Sequence, residues 1–257
     1  GLIEDAQVDW YEEDFNIEPN PYLETAAEPD RWGMNEMRFI EGHFAFWDAL
    51  LKKFPHLAIL NCASGGRRID LESISRGQPL WRSDYNCFPE ATAESTQDHS
   101  YGIQYWLPLQ GSMIRGWSMF DTYEARCALS PGMEHALVAK TPDEWRQIKA
   151  HVVQAGRCRK YFYGDYYPLT NQQRSSAGWT AYQLYLPEEH AGMILALRRA
   201  QSDIRAMTFD LVTIDPAKQW KFEDYDSGAT WVASGQEIRE RGFEVAIESR
   251  RDSRLIF

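Results

Sequence analysis

The run His56-Leu57-Ala58-Ile59-Leu60 leads without a break into Asn61-Cys62-Ala63-Ser64-Gly65-Gly66-Arg67-Arg68-Ile69-Asp70. A short strand that stops in a Ser-Gly-Gly turn leaves its polar end open to close approach, because glycine puts no Cβ between the backbone and a neighbour. Soon afterwards Leu80-Trp81-Arg82-Ser83-Asp84-Tyr85 repeats the arrangement, a short strand-like run ending in an isolated acid. Polar groups gathered just beyond successive strand ends are where a parallel α/β barrel keeps its chemistry.

The rest of the front part alternates in the same way. Val8-Asp9-Trp10-Tyr11 reads as a strand with a polar tip, Glu12-Glu13-Asp14-Phe15-Asn16, and Pro19 and Pro21 close off any helix there. A Glu-, Pro- and Asp-rich linker runs to about Asn35. Met37, Ile40, Phe44, Trp47, Leu51 and Phe54 recur at three- and four-residue steps, which predicts a helix that Pro55 stops. Leu57–Cys62 is the next strand, Ile69–Ser75 a short helical segment, Leu80–Asp84 a strand, Glu90–Gly102 a helix or helical loop, and Ile103–Leu109 a further buried strand. Thr122–Ala128 fits a helix leading to a last strand near Gly132–Val138. Thr141-Pro142-Asp143-Glu144 is a helix start with the elements of a capping box, followed by an apolar stripe of Trp145, Ile148, Val152 and Ala155.

Beyond Gly164-Asp165-Tyr166-Tyr167-Pro168 the texture changes to short, partly alternating runs separated by Pro, Gly and Asp, which predicts an all-strand antiparallel domain. The expected organisation is therefore α/β, with residues 1–165 forming part of a (β/α)8 barrel and 166–257 an antiparallel β-sandwich. A whole barrel takes eight strands and about 250 residues. The front part offers about five, which corresponds to roughly strands 4–8, with the first three expected to lie ahead of Gly1.

The formal charge of −11 opposes binding to nucleic acid or an anionic membrane and suits a neutral substrate. No apolar run is long enough to cross a bilayer. The ten Trp fit both a carbohydrate enzyme, where indole lies against sugar C–H faces, and ordinary core filling. Cys62, Cys87, Cys127 and Cys158 show no metal-ligand spacing with one another or with the six His, so neither metal nor cofactor is expected. Compartment and oligomeric state stay open, a homo-oligomer included.

Cleavage of a glycosidic bond requires two carboxyl groups flanking it. Asp14 and Asp84 each follow a predicted strand. Among 38 acidic residues, spacing alone does not single them out. Their surroundings do: Asp14-Phe15-Asn16, Cys62-Ala63-Ser64-Gly65-Gly66-Arg67-Arg68-Ile69-Asp70 and Trp81-Arg82-Ser83-Asp84, in that order, resemble the motifs of the α-galactosidases of glycoside hydrolase family 36. The likeness is nearest to a bacterial branch described as α-galactosidase-like, and it runs from about Val8 into the β domain.

The resemblance implies a retaining hydrolase of terminal α-galactosides, with Asp14 as nucleophile, Asp84 as acid/base, and carboxyl groups about 5–5.5 Å apart. It implies an α-linked oligosaccharide or glycoside as partner, and Asn16, Cys62, Gly65, Arg67 and Arg82 as substrate-binding. Each of these five also has a purely structural reading: a loop cap for Asn16, a buried thiol beside a turn for Cys62 and Gly65, an ion pair with Asp70 for Arg67 or Arg68, a rim cover for Arg82. Trp81 and Trp106 read as core rather than sugar platforms. Two residues before the nucleophile the family carries Lys or Arg; this chain has Glu12, which would raise the pKa of Asp14 if it shared the pocket. A related α-galactosyl transferase and a degenerate, non-catalytic carbohydrate-binding fragment are the alternatives.

Overall fold

The computed structural model describes residues 1–14, 18–25, 28–107, 109–115, 118–135 and 138–257. They fall into two compact units, 1–84 and 85–257.

The first unit runs α1 (Leu2–Ala6), β1 (Trp10–Asp14), α2 (Asn20–Thr25), α3 (Trp32–Lys53), β2 (Ala58–Cys62), α4 (Leu71–Arg76) and β3 (Leu80–Trp81). β1 and β2 pair in parallel over five residues, from Trp10 opposite Ala58 to Asp14 opposite Cys62. β2 pairs in parallel with β3 through Asn61 and Leu80. Parallel neighbours need crossovers, and α3 and α4 supply them.

α3 starts five residues before the predicted apolar period, directly after a turn at Pro29–Arg31, and Lys52 and Lys53 face the negative end of its dipole. Of the predicted stripe, Trp47 is fully buried, whereas Met37 and Ile40 are exposed. Periodicity identifies an apolar face but not whether anything lies against it; among the described residues, the short α2 packs against α3. Asp70 caps α4, accepting from the Ser73 N–H and hydroxyl, both at 2.8 Å. β3 is shorter than the expected Leu80–Asp84.

The second unit runs α5 (Ala93–Ile103), β4 (Gln110–Met113), α6 (Thr122–Cys127), β5 (Gly132–Glu134), α7 (Pro142–Arg159), β6 (Asp165–Pro168), β7 (Trp179–Leu186), β8 (Ala191–Arg198), β9 (Ala206–Phe209), β10 (Gln219–Glu223), β11 (Thr230–Ser234), α8 (Gly235–Arg241), β12 (Phe243–Ala246) and β13 (Asp252–Ile256). β4 and β5 pair in parallel. Asp121 caps α6 and Thr141 caps α7, the latter by the expected capping box. On α7, Ile148 and Ala155 are buried as expected, but His151 and Gln154 occupy the inner face while Trp145 and Val152 stay half exposed.

Among the described residues, the strand expected over Ile103–Leu109 is not there. α5 continues to Ile103, a turn follows, and Trp106, expected in the core, is 84% exposed. The strand is the next segment, Gln-Gly-Ser-Met. Its Gln110 and Ser112 are buried, with the Gln110 amide donating to Gln104 Oε1 at 2.9 Å. A strand whose buried side chains are polar gives no hydropathy signal.

The antiparallel part is a four-stranded sheet ordered β13-β8-β7-β6, with the pairs β10–β11 and β12–β9 beside it. β7 is buried at all eight positions because both sheet faces are covered. Tyr182, Leu184 and Leu186 pack with Cys127, Cys158 and Phe162 of the helical side, while Trp179 and Ala181 pack with Phe209, Phe222 and Phe243. The tail is not all strand: α8 breaks it, capped by Ser234, which accepts from the Glu237 N–H at 3.1 Å. At seven residues with Ile238 as its only buried apolar side chain, α8 is too short to show a period.

Candidate active site

Asp14 closes β1, and strand alternation puts Trp10, Glu12 and Asp14 on one face and Tyr11 and Glu13 on the other. Glu12 therefore shares the face of Asp14. Glu13 does not: its carboxylate is bound by groups from α3 and from the segment after β2, namely the Trp47 indole at 3.1 Å and Arg68 at 3.3 Å.

Asp14 is the register partner of Cys62, so the two side chains start side by side. Beyond Cys62 the chain takes three left-handed residues in a row, Ser64, Gly65 and Gly66, at φ 49°, 67° and 73°. Such a turn aims successive N–H groups outward, a concavity that suits anions. The Ser64 N–H donates to Asp14 Oδ1 at 3.0 Å, and the Gly66 N–H donates to the Trp81 carbonyl at 2.8 Å. One turn thus ties the end of β1 to the end of β3. The buried Asn61 closes it from behind, donating to the Arg68 carbonyl at 3.1 Å.

Asp84 stands where β3 ends. The Trp81 indole N–H donates to its Oδ1 at 2.8 Å. Trp81 is buried, as expected of a core residue, and it also orients a carboxylate. Gly65 is required here on two counts, its positive φ and its proximity to the Ser83–Asp84 backbone, which leaves no room for a Cβ.

The Cys62 thiol is buried beside Asp14. Burial, opposed by the Gly65 N–H and reinforced by the charges of Asp14 and Asp84 and a hydrogen bond to Asp14, pushes its pKa up to about 12. It therefore stays protonated at neutral pH, a donor toward Asp14 rather than a nucleophile.

Asp14, Cys62, Gly65 and Asp84 are thus brought together. Arg67 is exposed, and Arg82 is 7% exposed and so buried rather than a rim cover. In place of the expected ion pair of Arg67 or Arg68 with Asp70, Arg68 binds Glu13 and the Cys62 carbonyl, and Asp70 caps α4. Asn16 lies outside the described residues. The sequence reading missed Glu13, His43 and Trp47 as partners of this region and the Ser64 N–H as a donor to Asp14; the Ser-Gly-Gly turn was the available signal for the last. Among the described residues no group of three or more His, Cys, Asp or Glu is arranged to hold a metal ion, and no helix is long and apolar enough to cross a membrane.

No protein-family model matches this chain. It is similar to α-galactosidase 1 of Pediococcus pentosaceus, with 21% identity over 253 residues covering 94% of this chain and 33% of the relative. A segment of 91 residues is 35% identical to an α-galactosidase of Escherichia coli, covering 30% of this chain and 12% of that one. Among solved structures it superposes on the glycoside hydrolase family 36 α-galactosidase AgaA of Geobacillus stearothermophilus with a TM-score of 0.78 and 19% identity, covering 99% of this chain and 36% of the other. Variants of AgaA have been solved in complex with raffinose and with stachyose. The chain thus resembles family 36 α-galactosidases along nearly its whole length and shares their fold. It spans about one third of the length of the Pediococcus relative and of AgaA.

Proposed function

We propose that this chain carries the reacting carboxylates of a retaining glycoside hydrolase that removes terminal α-galactosyl groups from oligosaccharides or glycosides. On this reading β1 to β5 correspond to about strands 4–8 of a (β/α)8 barrel, and the antiparallel part is a β-sandwich. The observation that carries the proposal is the Ser64–Gly66 turn, whose Ser64 N–H holds Asp14 while Gly65 lies against the Ser83–Asp84 backbone. Two acids from separate strand ends converging on one small region is what a double displacement requires.

In the first step Asp14 attacks the anomeric carbon while Asp84 gives its proton to the departing glycosidic oxygen, leaving a glycosyl ester on Asp14. In the second step Asp84, now a carboxylate, takes a proton from water as that water attacks the same carbon and releases Asp14. The Ser64 N–H and the Cys62 thiol hold the Asp14 carboxylate in place for attack. The Trp81 indole occupies Oδ1 of Asp84 and leaves Oδ2 for the travelling proton. Cys62, Gly65, Arg67, Arg82 and Asn16 are proposed to contact the sugar. The complexes of AgaA with raffinose and stachyose support an α-galactosyl oligosaccharide as substrate.

The deciding experiment is hydrolysis of an aryl α-galactoside by the wild-type protein and by Asp14→Ala. Loss of turnover in the variant, with α-galactose as the first-formed product in the wild type, supports the proposal; unchanged turnover overturns it. A transferase is separated by adding an acceptor sugar and following the transfer product. Glu12 on the face of Asp14 favours one further reading, a carbohydrate-binding protein without catalysis, in which the wild type binds raffinose but does not cleave it.

A further inference from the structure

On the face of β1 opposite Asp14, Glu13 is only 16% exposed and its carboxylate receives three side-chain hydrogen bonds and a close imidazole contact. The Tyr11 hydroxyl and the Trp47 indole donate to Oε2, both at 3.1 Å. Arg68 Nη2 lies 3.3 Å and His43 Nδ1 3.2 Å from Oε1. A carboxylate offers about four acceptor sites, so most of this one's are filled. Burial, opposed by Glu13 and aided by the Arg68 charge, lowers the pKa of His43.

Arg68 carries this arrangement into the main chain. Its Nη1 donates to the Cys62 carbonyl at 3.0 Å and reaches the Glu13 carbonyl at 3.4 Å, while its guanidinium lies 5.4 Å from the centre of a Trp47 ring. The Glu13 carbonyl belongs to the same peptide unit as the Asp14 N–H. Holding that carbonyl sets the plane from which the Asp14 side chain projects, at the Asp14–Cys62 pair of the β1–β2 ladder.

We infer that Glu13 is a positioning residue for the reaction: through Arg68 it fixes the Asp14 peptide and the turn that supplies the Ser64 N–H, without touching substrate. This inference rests on the hydrolase reading of Asp14 for its kinetic consequences, but its structural claim stands on the geometry alone. A misplacement of about 1 Å at a reacting group costs on the order of 100-fold in rate.

The test compares wild type, Glu13→Gln, Arg68→Lys and the double variant. It follows kcat and KM per correctly folded site on an aryl α-galactoside, with amide exchange of Ser64 measured alongside. Glu13→Gln keeps the shape but removes the charge that holds the guanidinium. It is expected to lower kcat by about 10- to 100-fold with KM changed by less than about 3-fold, and to speed Ser64 exchange by about 10-fold. The double variant should lose less than the product of the single losses, since both break one network. A Glu13→Gln protein with lower melting temperature but unchanged kcat per folded site overturns the inference. Should Glu13→Gln fail to fold, Arg68→Lys decides on the same readouts. If wild type cleaves no α-galactoside, the hydrolase reading fails; unchanged Ser64 exchange in the variants then overturns the positioning claim separately.

Discussion

A Cβ built on Gly65 would fall 2.8 Å from the Ser83 Cα and carbonyl carbon, and closer still to the backbone nitrogen of Asp84. The turn after β2 and the acid after β3 are therefore in backbone contact, and the glycine is what permits it.

Gly65→Ala must shift one of these two segments, because the obstructing atoms are main chain and the φ of 67° disfavours any side chain. We expect a loss of about 2–4 kcal/mol in urea unfolding, from left-handed strain and overpacking together. Hydrolysis should be lost even where the variant folds, since Asp84 moves with the backbone it touches. A variant as stable as wild type would show that the turn adapts freely.

Asp14→Ala and Asp84→Ala should differ in how they depend on the leaving group. Without Asp84 a poor leaving group departs unprotonated, so raffinose cleavage should fall by about 100- to 10,000-fold. An aryl galactoside whose phenol is strongly acidic needs no such proton and should lose about 10-fold or less in the glycosylation step. Asp14→Ala should abolish turnover of both. Pre-steady-state rates on the two substrates distinguish these outcomes, and equal losses for Asp84→Ala would remove its acid role.

The four cysteines should separate sharply by reactivity. Cys62, Cys127 and Cys158 are buried, and burial pushes all three thiols upward, Cys62 and Cys158 to about 12. Cys87 is exposed. With iodoacetamide at pH 8, mass spectrometry of the native protein should show a single fast adduct on Cys87. The others should react only after denaturation.

Stability should decline below about pH 6.5, the unperturbed histidine value. Burial lowers the pKa of both His135 and His151, with the Arg126 charge adding to the effect on His151. Over the interval between the lowered folded values and the ordinary unfolded one, the unfolded chain binds more protons. The histidine contribution is therefore complete above that interval and is lost as pH falls through it. His151 Nδ1 lies 3.1 Å from the Met119 carbonyl, a contact that Asn can imitate without titrating. Urea midpoints between pH 7 and pH 5 should fall less steeply for His151→Asn than for wild type.

Much of the site was legible before any fold was known, because its signals are local. A strand feeding Ser-Gly-Gly, an acid after each of two strand-like runs, Pro55 ending a periodic helix and Thr141 opening another all act within a few residues of chain. The turn, the end of α3 and the start of α7 follow from them. Failures came where burial was not written as hydropathy. β4 is buried yet polar, and Trp106 is apolar yet exposed. α8 carried its Ser234 cap but no period.

What the linear order of residues determined is the set of turns, caps and strand ends at which reactive groups can stand. What only the tertiary structure decided is which distant groups face them: the Trp47 indole and Arg68 reach Glu13 across 34 and 55 residues of chain. The physical reason is that local conformational preferences depend on neighbours along the chain, whereas a carboxylate is satisfied by whichever donors packing brings within about 3 Å of it.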